Sequence, residues 1–408
     1  MAVRRAAWGH ATFKALQSRD YRWFWLGRLA SSATFQMAGI AQGWLVYQLT
    51  GSGFALGWVG AFGSVATLLV SPYGGVISDR VERRQILMLT RAAMTVNILI
   101  IALLAITGQL QVWHLAASGL LSGALNAFMM PAQNALMADL VDRPTLLNAV
   151  SLTAVGMGLM GIVGASVAGF LIDWLGAGSV YIVIALLYLM AMYTLLKLPL
   201  RGAPEGDTRS VWKEMLLGIG YIKDQPVLLA LLGLALARVL LAMPHATLLP
   251  KYAEDVLGVG ASGLGALASA SGAGALVSAL AVAALGDCRW KGRLLIASGL
   301  AMGLGLIGLA LAPVTGAAFV LLTLVGVGNN AMMVANQTLV QANCDDLYRG
   351  RVMSTYMMMW GLTPLGTIPA GALADAFGVQ AVWVGQGLLL VLIFGLIAWR
   401  SVRIRRLE

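Results

Sequence analysis

Arg238 and His245 stand seven residues apart in the apolar stretch 227–250, with Pro244 between them. Seven residues are two helical turns, so a helix would carry both side chains on one face. A guanidinium midway along such a stretch is costly in hydrocarbon and by default points to function, here the attraction of anionic groups. The alternatives are an Arg tied to helix carbonyls or one that snorkels to the interface. Asn126, Met130 and Gln133 share one face of the stretch 112–137, and Asn329, Met333 and Asn336 share the matching face of 317–341. Amides supply donors and acceptors without net charge, and Met supplies an adaptable apolar surface. That mixture suits an amphiphilic ligand, and it equally suits hydrogen bonds between helices. Gln36 and Gln42, in 24–47, are similar, whereas Asn97, in 86–107, reads as packing glue.

Other chemistries find no support. His10, His114 and His245 are scattered, so no metal site is expected. No Gly-four residues-Gly-Lys-Ser/Thr loop is present, so ATP hydrolysis is not expected. Clustered catalytic groups are also missing from the apolar stretches. The chain is therefore read as neither an enzyme nor a cofactor protein, with a membrane-embedded enzyme as the weaker alternative. No Asp or Glu lies deep in any stretch: Asp173, Glu254, Asp255 and Asp375 fall near one set of ends and Asp139 near the other.

The elements that must position these residues are long apolar runs, at 24–47, 54–78, 86–107, 112–137, 147–172, 178–197, 227–250, 261–285, 293–312, 317–341, 351–374 and 379–399. Each is long enough to cross a hydrocarbon layer ~30 Å thick. The composition agrees: 59% of residues are hydrophobic, 11% are charged and the mean hydropathy is +0.83. Soluble domains carry roughly 25% charged residues. The net charge of +10 does not indicate nucleic acid, because the basic residues are spread over alternate gaps and both tails. Of the 27 basic residues, Lys251 is assigned to an outside loop and Arg238 to a span, and the rest to inside loops, tails or span ends. Lys and Arg are retained on the cytoplasmic side of membranes, which places both termini there and requires an even number of spans. Cys288 and Cys344 fall in inside loops, where a structural disulfide is not expected. The polar first 20 residues do not read as a cleavable signal peptide.

Residues 198–226 form the one long polar gap, dividing the chain into a first six-span half (1–197), a linker and a second six-span half (227–408). Within the gap, 210–224 is expected to form an amphipathic surface helix. The halves repeat. Asn126, Met129, Met130, Ala132 and Leu136 recur as Asn329, Met332, Met333, Ala335 and Leu339, and the segment from Ala168 to Gly176 recurs from Ala370 to Gly378. Duplicated halves are a common plan for secondary transporters, with the site between them near mid-membrane. Gly-rich stretches in 147–172 and 261–285 would let helices approach closely.

The gap after the second run reads Gly75-Val-Ile-Ser-Asp79-Arg80-Val-Glu82-Arg83-Arg84. It resembles the loop signature of the major facilitator superfamily, with Glu82 where the signature has its second Gly. A weaker echo with Asp287, Arg289, Lys291 and Arg293 occupies the equivalent place in the second half. A carboxylate such as Asp79 suits a helix N-terminus, and the Arg side chains suit helix C-terminal carbonyls, carboxylates or lipid phosphate. These residues are read as a conformational latch on the inner side. Topology alone is the competing reading.

The segments Arg19–Arg28, Gly43–Thr50, Pro131–Val141 and Leu248–Gly258 look like the enterobactin-exporter-like and macrolide-efflux-like branch. The first apolar half lacks the Arg in its fourth run that is typical of other drug exporters, and Gly164–Gly169 lacks the Pro of the exporter signature. The resemblance implies an all-α major facilitator fold of twelve transmembrane helices in two six-helix bundles. It also implies export of a siderophore or drug at the expense of a proton gradient. The expected protein is a multi-pass carrier of the bacterial inner membrane, working as a monomer among lipids, with a small-molecule substrate, H+ as coupling ion and no nucleic acid partner. An importer on the same architecture is the alternative.

Overall fold

The computed structural model describes residues 13–78, 80–199, 220–285 and 290–407. Twelve long helices make up nearly all of it, and no strand occurs among the described residues. They are α1 (Arg19–Thr50), α2 (Gly53–Ser78), α3 (Arg83–Ile106), α4 (Val112–Leu140), α5 (Arg143–Leu175) and α6 (Ala177–Leu196). After the linker come α7 (Pro226–Asp255), α8 (Gly260–Leu285), α9 (Lys291–Leu311), α10 (Thr315–Ala342), the broken α11 (349–377) and α12 (Val379–Arg400). Ten of these are long and apolar enough to cross a membrane. The two others are α1, whose first turns carry Arg19, Asp20, Arg22 and Arg28, and α11. Helix α11 consists of Arg349–Met358, a 3-10 turn at Met359–Leu362, and Pro364–Phe377.

Local sequence explains the boundaries. The Ser18 side chain accepts from the Tyr21 amide to start α1, and Gly51, with φ 61°, ends it. The turns from α5 to α6 and from α11 to α12 are made by Gly176 (φ 79°) and Gly378 (φ 85°), a backbone region that favours glycine. These are the matching last residues of the 168–176 and 370–378 repeats, so both halves turn here by the same device.

Short connections make successive helices antiparallel and give the molecule two ends. One carries the basic segments around residues 80–84, 143, 291–293 and 400–406, and is called here the basic end. The other, called the acidic end, carries Asp173, Glu254, Asp255 and Asp375. In the first half α1 packs on α5 and α6, α2 on α4, and α3 on α4 and α6. In the second half α8 and α9 pack on α10, and α12 packs on α9 and α11. The halves meet where α5 crosses α8 and α2 crosses α11. At the first crossing, a Cβ on Gly169 would stand 2.4 Å from the Ala261 carbonyl oxygen, and one on Gly265 2.4 Å from that of Ala165. Only glycine permits that approach of backbones. Large apolar side chains such as Leu103, Leu186, Leu189, Leu388 and Leu392 remain exposed, as suits a surface solvated by lipid.

Candidate functional site

The contacts between the halves concentrate at the acidic end. The Asp375 carboxylate accepts from the Ser52 hydroxyl (2.6 Å) and from the amides of Gly53 (2.6 Å) and Phe54 (2.9 Å), so α11 caps the N-terminus of α2. Asp173, its counterpart in the repeat, accepts from the Ser262 amide (2.8 Å) in the first turn of α8. Two related carboxylates thus clasp the helix that opens beside them in the opposite half. Lys251 lies in the last turn of α7, not in a loop as the sequence reading had it, and is 8% exposed. It pairs with Asp255 (3.1 Å) and Asp375 (3.4 Å) and donates to the Gly51 carbonyl (3.4 Å). Tyr47 of α1 donates to Asp255. Nearer mid-depth, Ser166 of α5 and Ser269 of α8 are hydrogen-bonded at 2.7 Å.

Toward the basic end the facing surface of α1 is open. Gly43 and Tyr47 touch α7, at Pro250 and Asp255. Closer to the basic end, Arg28, Ser32, Phe35 and Gly39 share one helical face, with Gln36 beside it. Phe35 is 67% exposed, and Met130 of α4 is 58% exposed. Gln36 is half-buried and packs toward Gly161 and Gly164 of α5.

Arg238 is buried at 2% exposure. Its Nη1 donates to Asn329 Oδ1 of α10 (3.3 Å), its guanidinium lies 5.1 Å from the ring centre of Trp360 in the 3-10 turn of α11, and its Nε has no partner. The backbone explains why an Arg is turned into this position. Residues Arg238–Ala242 form a π-turn in which the Met243 amide bonds the Arg238 carbonyl (3.1 Å), immediately before Pro244, which has no amide to donate. The Ala246 amide reaches the Met243 carbonyl instead of Ala242, and the His245 imidazole Nδ1 donates to the Ala242 carbonyl left over. His245, 6% exposed, is therefore engaged by the break it sits beside.

The remaining predicted cavity residues divide. Asn329 joins Arg238, and Met333 and Asn126 are half-buried. Asn336, 2% exposed, donates to the Leu231 carbonyl (2.9 Å) and so ties α10 to α7. Gln133 is 2% exposed and its Nε2 has no partner. Asn97 donates to Ser118 Oγ (2.9 Å), a bond between α3 and α4.

Among the predicted latch residues, Arg83 pairs with Asp139 of α4, and Arg84 donates to the Leu198 (2.8 Å) and Leu196 (3.4 Å) carbonyls at the end of α6. These bonds lie within the first half. Gly75 lies in α2, Arg80 and Arg293 are exposed and Lys291 is half-buried. Asp79, Asp287 and Arg289 lie outside the described residues.

Sequence reasoning placed Arg91 and Arg28 at span ends, and the structure corrects this for both. Arg91 sits two turns inside α3 at 1% exposure, donating to the Ala191 carbonyl and to Ser31 Oγ (3.1 Å). Arg28 is half-buried on α1, with its Nη2 3.3 Å from the Met157 sulfur. The helices begin several residues before the apolar runs do, which carries both guanidiniums inward. The signal was the one that marked Arg238: an ionisable residue within an apolar run.

Chains of similar sequence and shape agree with this architecture. The multidrug efflux pump Tap of Mycolicibacterium fortuitum is 27% identical over 382 residues, 90% of this chain and 92% of that one. The staphyloferrin A transporter of Staphylococcus aureus is 22% identical over 83% of this chain and 86% of its own length. The enterobactin exporter EntS of Escherichia coli is 25% identical over 91% and 92%. The crystal structure of a POT family transporter in complex with 5-aminolevulinic acid superposes with a TM-score of 0.77 over 95% of this chain and 97% of that one; at 10% identity it shares the fold. With two bundles meeting across α2, α5, α8 and α11, and with the transmembrane secretion effector model matching residues 10–408, the chain belongs to that family of major facilitator transporters.

Proposed function

We propose that this transporter exports a small amphiphilic molecule bearing negative charge, of siderophore or drug type, across the bacterial inner membrane. The basic end faces the cytoplasm, where Lys and Arg are retained. The two halves, 1–197 and 227–408, rock about the crevice between them, and the present state is closed at the acidic end and open toward the basic end. The observation that carries the reading is Arg238: a buried guanidinium at mid-depth whose named partners are an amide and an aromatic ring, while every carboxylate of the described residues sits at a helix end or in a loop. An uncompensated charge there favours an anionic visitor. Asn126, Met130, Gln133 and Met333 supply amide and apolar contacts, and the basic-end loops act as the latch. H+ is the coupling ion, with His245, the acidic-end carboxylates, Asp79 or the substrate itself as the candidates to carry the proton. The names of the relatives favour outward transport.

Profiling a deletion strain tests this. Loss of a secreted siderophore, or lowered tolerance to an amphiphilic drug, is expected relative to the parent. Uptake into everted vesicles then fixes direction, and accumulation in right-side-out vesicles instead would make the protein an importer.

A further inference from the structure

We infer that Arg28 is a second anion contact for the transported molecule, and that the substrate carries two anionic groups, one met by Arg28 of the first half and one by Arg238 of the second. This rests on the crevice between the halves being the transport path.

The face of α1 that bears Arg28 is fixed by its neighbours. Farther along α1, Gly43 and Tyr47 touch α7, and the exposed Phe35, two turns from Arg28, shares its face. Gln42 flanks it on the side of α4, near Gly119, and Gln36 on the side of α5. Arg28 therefore points across the crevice rather than into lipid. Depth follows from the same contacts. Gly43 lies level with Pro250 and Tyr47 with Asp255, and α1 and α7 run in the same direction. Counting back at ~1.5 Å per residue places Arg28 level with residues 235–236 of α7, less than one turn nearer the basic end than Arg238. The two arginines occupy corresponding helices of the two halves at nearly corresponding depth.

The charge is uncompensated. The contact described for the Arg28 guanidinium is a thioether, a weak acceptor. Behind it stands Arg91, whose Nη1 lies 3.5 Å from where a Cβ on Gly27 would be, and whose own partners are a carbonyl and a hydroxyl. Every carboxylate of the described residues sits at a helix end or in a loop. Three guanidiniums thus raise the potential of the crevice with nothing of opposite sign at their depth. A monoanion offsets one of them and touches one half. A dianion bridges the halves, and the bridge is what draws the open end shut. Phe35, Met130 and Trp360, exposed at 67%, 58% and 41%, offer apolar surface to the body between the two charges.

The test uses the full chain in lipid nanodiscs with terephthalate, benzoate and benzamide as probes, read by calorimetry. Terephthalate is expected to bind about tenfold more tightly than benzoate, the ratio one additional charge-assisted contact provides. Benzamide should bind weakest. Arg28→Gln should reduce terephthalate to the affinity of benzoate, while Arg28→Lys, which keeps the charge and guards against a folding artefact, should retain most of the preference. If the wild type prefers benzoate to benzamide but Arg28→Gln leaves the dianion preference intact, the Arg28 assignment is wrong and the anionic-substrate reading stands. If the wild type binds terephthalate no better than benzoate, or binds neither, the two-charge clamp is wrong. If benzamide binds as well as benzoate, the anionic reading itself falls too.

Discussion

At the scale of single residues the molecule is defined by charge kept out of water. A guanidinium at the centre of a span costs roughly 2.5–3.5 kcal/mol on insertion scales, and Arg238 recovers part of this from Asn329 and the Trp360 ring. Because its contacts lie within the second half, its loss should spare assembly and remove anion recognition. Arg238→Ala is expected to reach the membrane at the parental level and to fail, by at least about tenfold, to restore export in the deletion strain. Unchanged export at equal protein level would remove Arg238 from the site. Arg238 was legible in the sequence because it stands in the middle of an apolar run. Arg91 was not, because its run starts at residue 86 and the helix at Arg83, which made a buried residue look interfacial. Gln133 and Asn336 look alike as sequence, yet Asn336 is tied to a backbone carbonyl whereas the Gln133 amide nitrogen has no partner. Which amide finds a carbonyl depends on the neighbouring helix, and no spacing within one helix carries that information.

At the scale of elements, the breaks decide more than the regular turns. Pro244 predicts an interruption of α7, but the π-turn before it, which orients Arg238, depends on how the freed carbonyls are repartnered. The repeat ending at Gly176 and Gly378 was visible as sequence; that Asp173 and Asp375 cap helices of the opposite half required the fold. The α11–α2 clasp leads to a prediction about the state of the gate. Asp375→Asn keeps one acceptor but loses the charge that complements both the α2 N-terminus and Lys251, an effect of about 1–2 kcal/mol. The acidic end should then open more often. A cysteine at the buried Thr367, placed by Thr367→Cys where α11 meets α2, should react with an impermeant maleimide about tenfold faster in the Asp375→Asn background. An unaltered labelling rate would mean that the clasp does not hold the gate.

At the scale of the whole molecule, twelve runs, a central polar gap and a repeat were enough to anticipate two related bundles, since hydropathy and backbone satisfaction leave a membrane chain few other solutions. Which end the bundles close is a matter of side chains from different halves meeting, and it was not readable in advance. The contact of Ser166 with Ser269 turns that geometry into a test of rocking. Their hydroxyl oxygens are 2.7 Å apart on α5 and α8, close enough that cysteines in both places should reach disulfide geometry with small adjustment. Cys288 and Cys344 are first replaced by Ser; burial already pushes the Cys344 thiol up from its ordinary range, which makes it a sluggish competitor. A disulfide between Ser166→Cys and Ser269→Cys pins the halves together on the closed side and leaves the opening toward the basic end untouched. If the halves must separate at the acidic end once per cycle, the oxidised protein should still bind ligand from the basic end, yet export should fall at least about tenfold and return on reduction. Export that persists with the cross-link quantitatively formed would show that substrate leaves by a route that does not part α5 from α8.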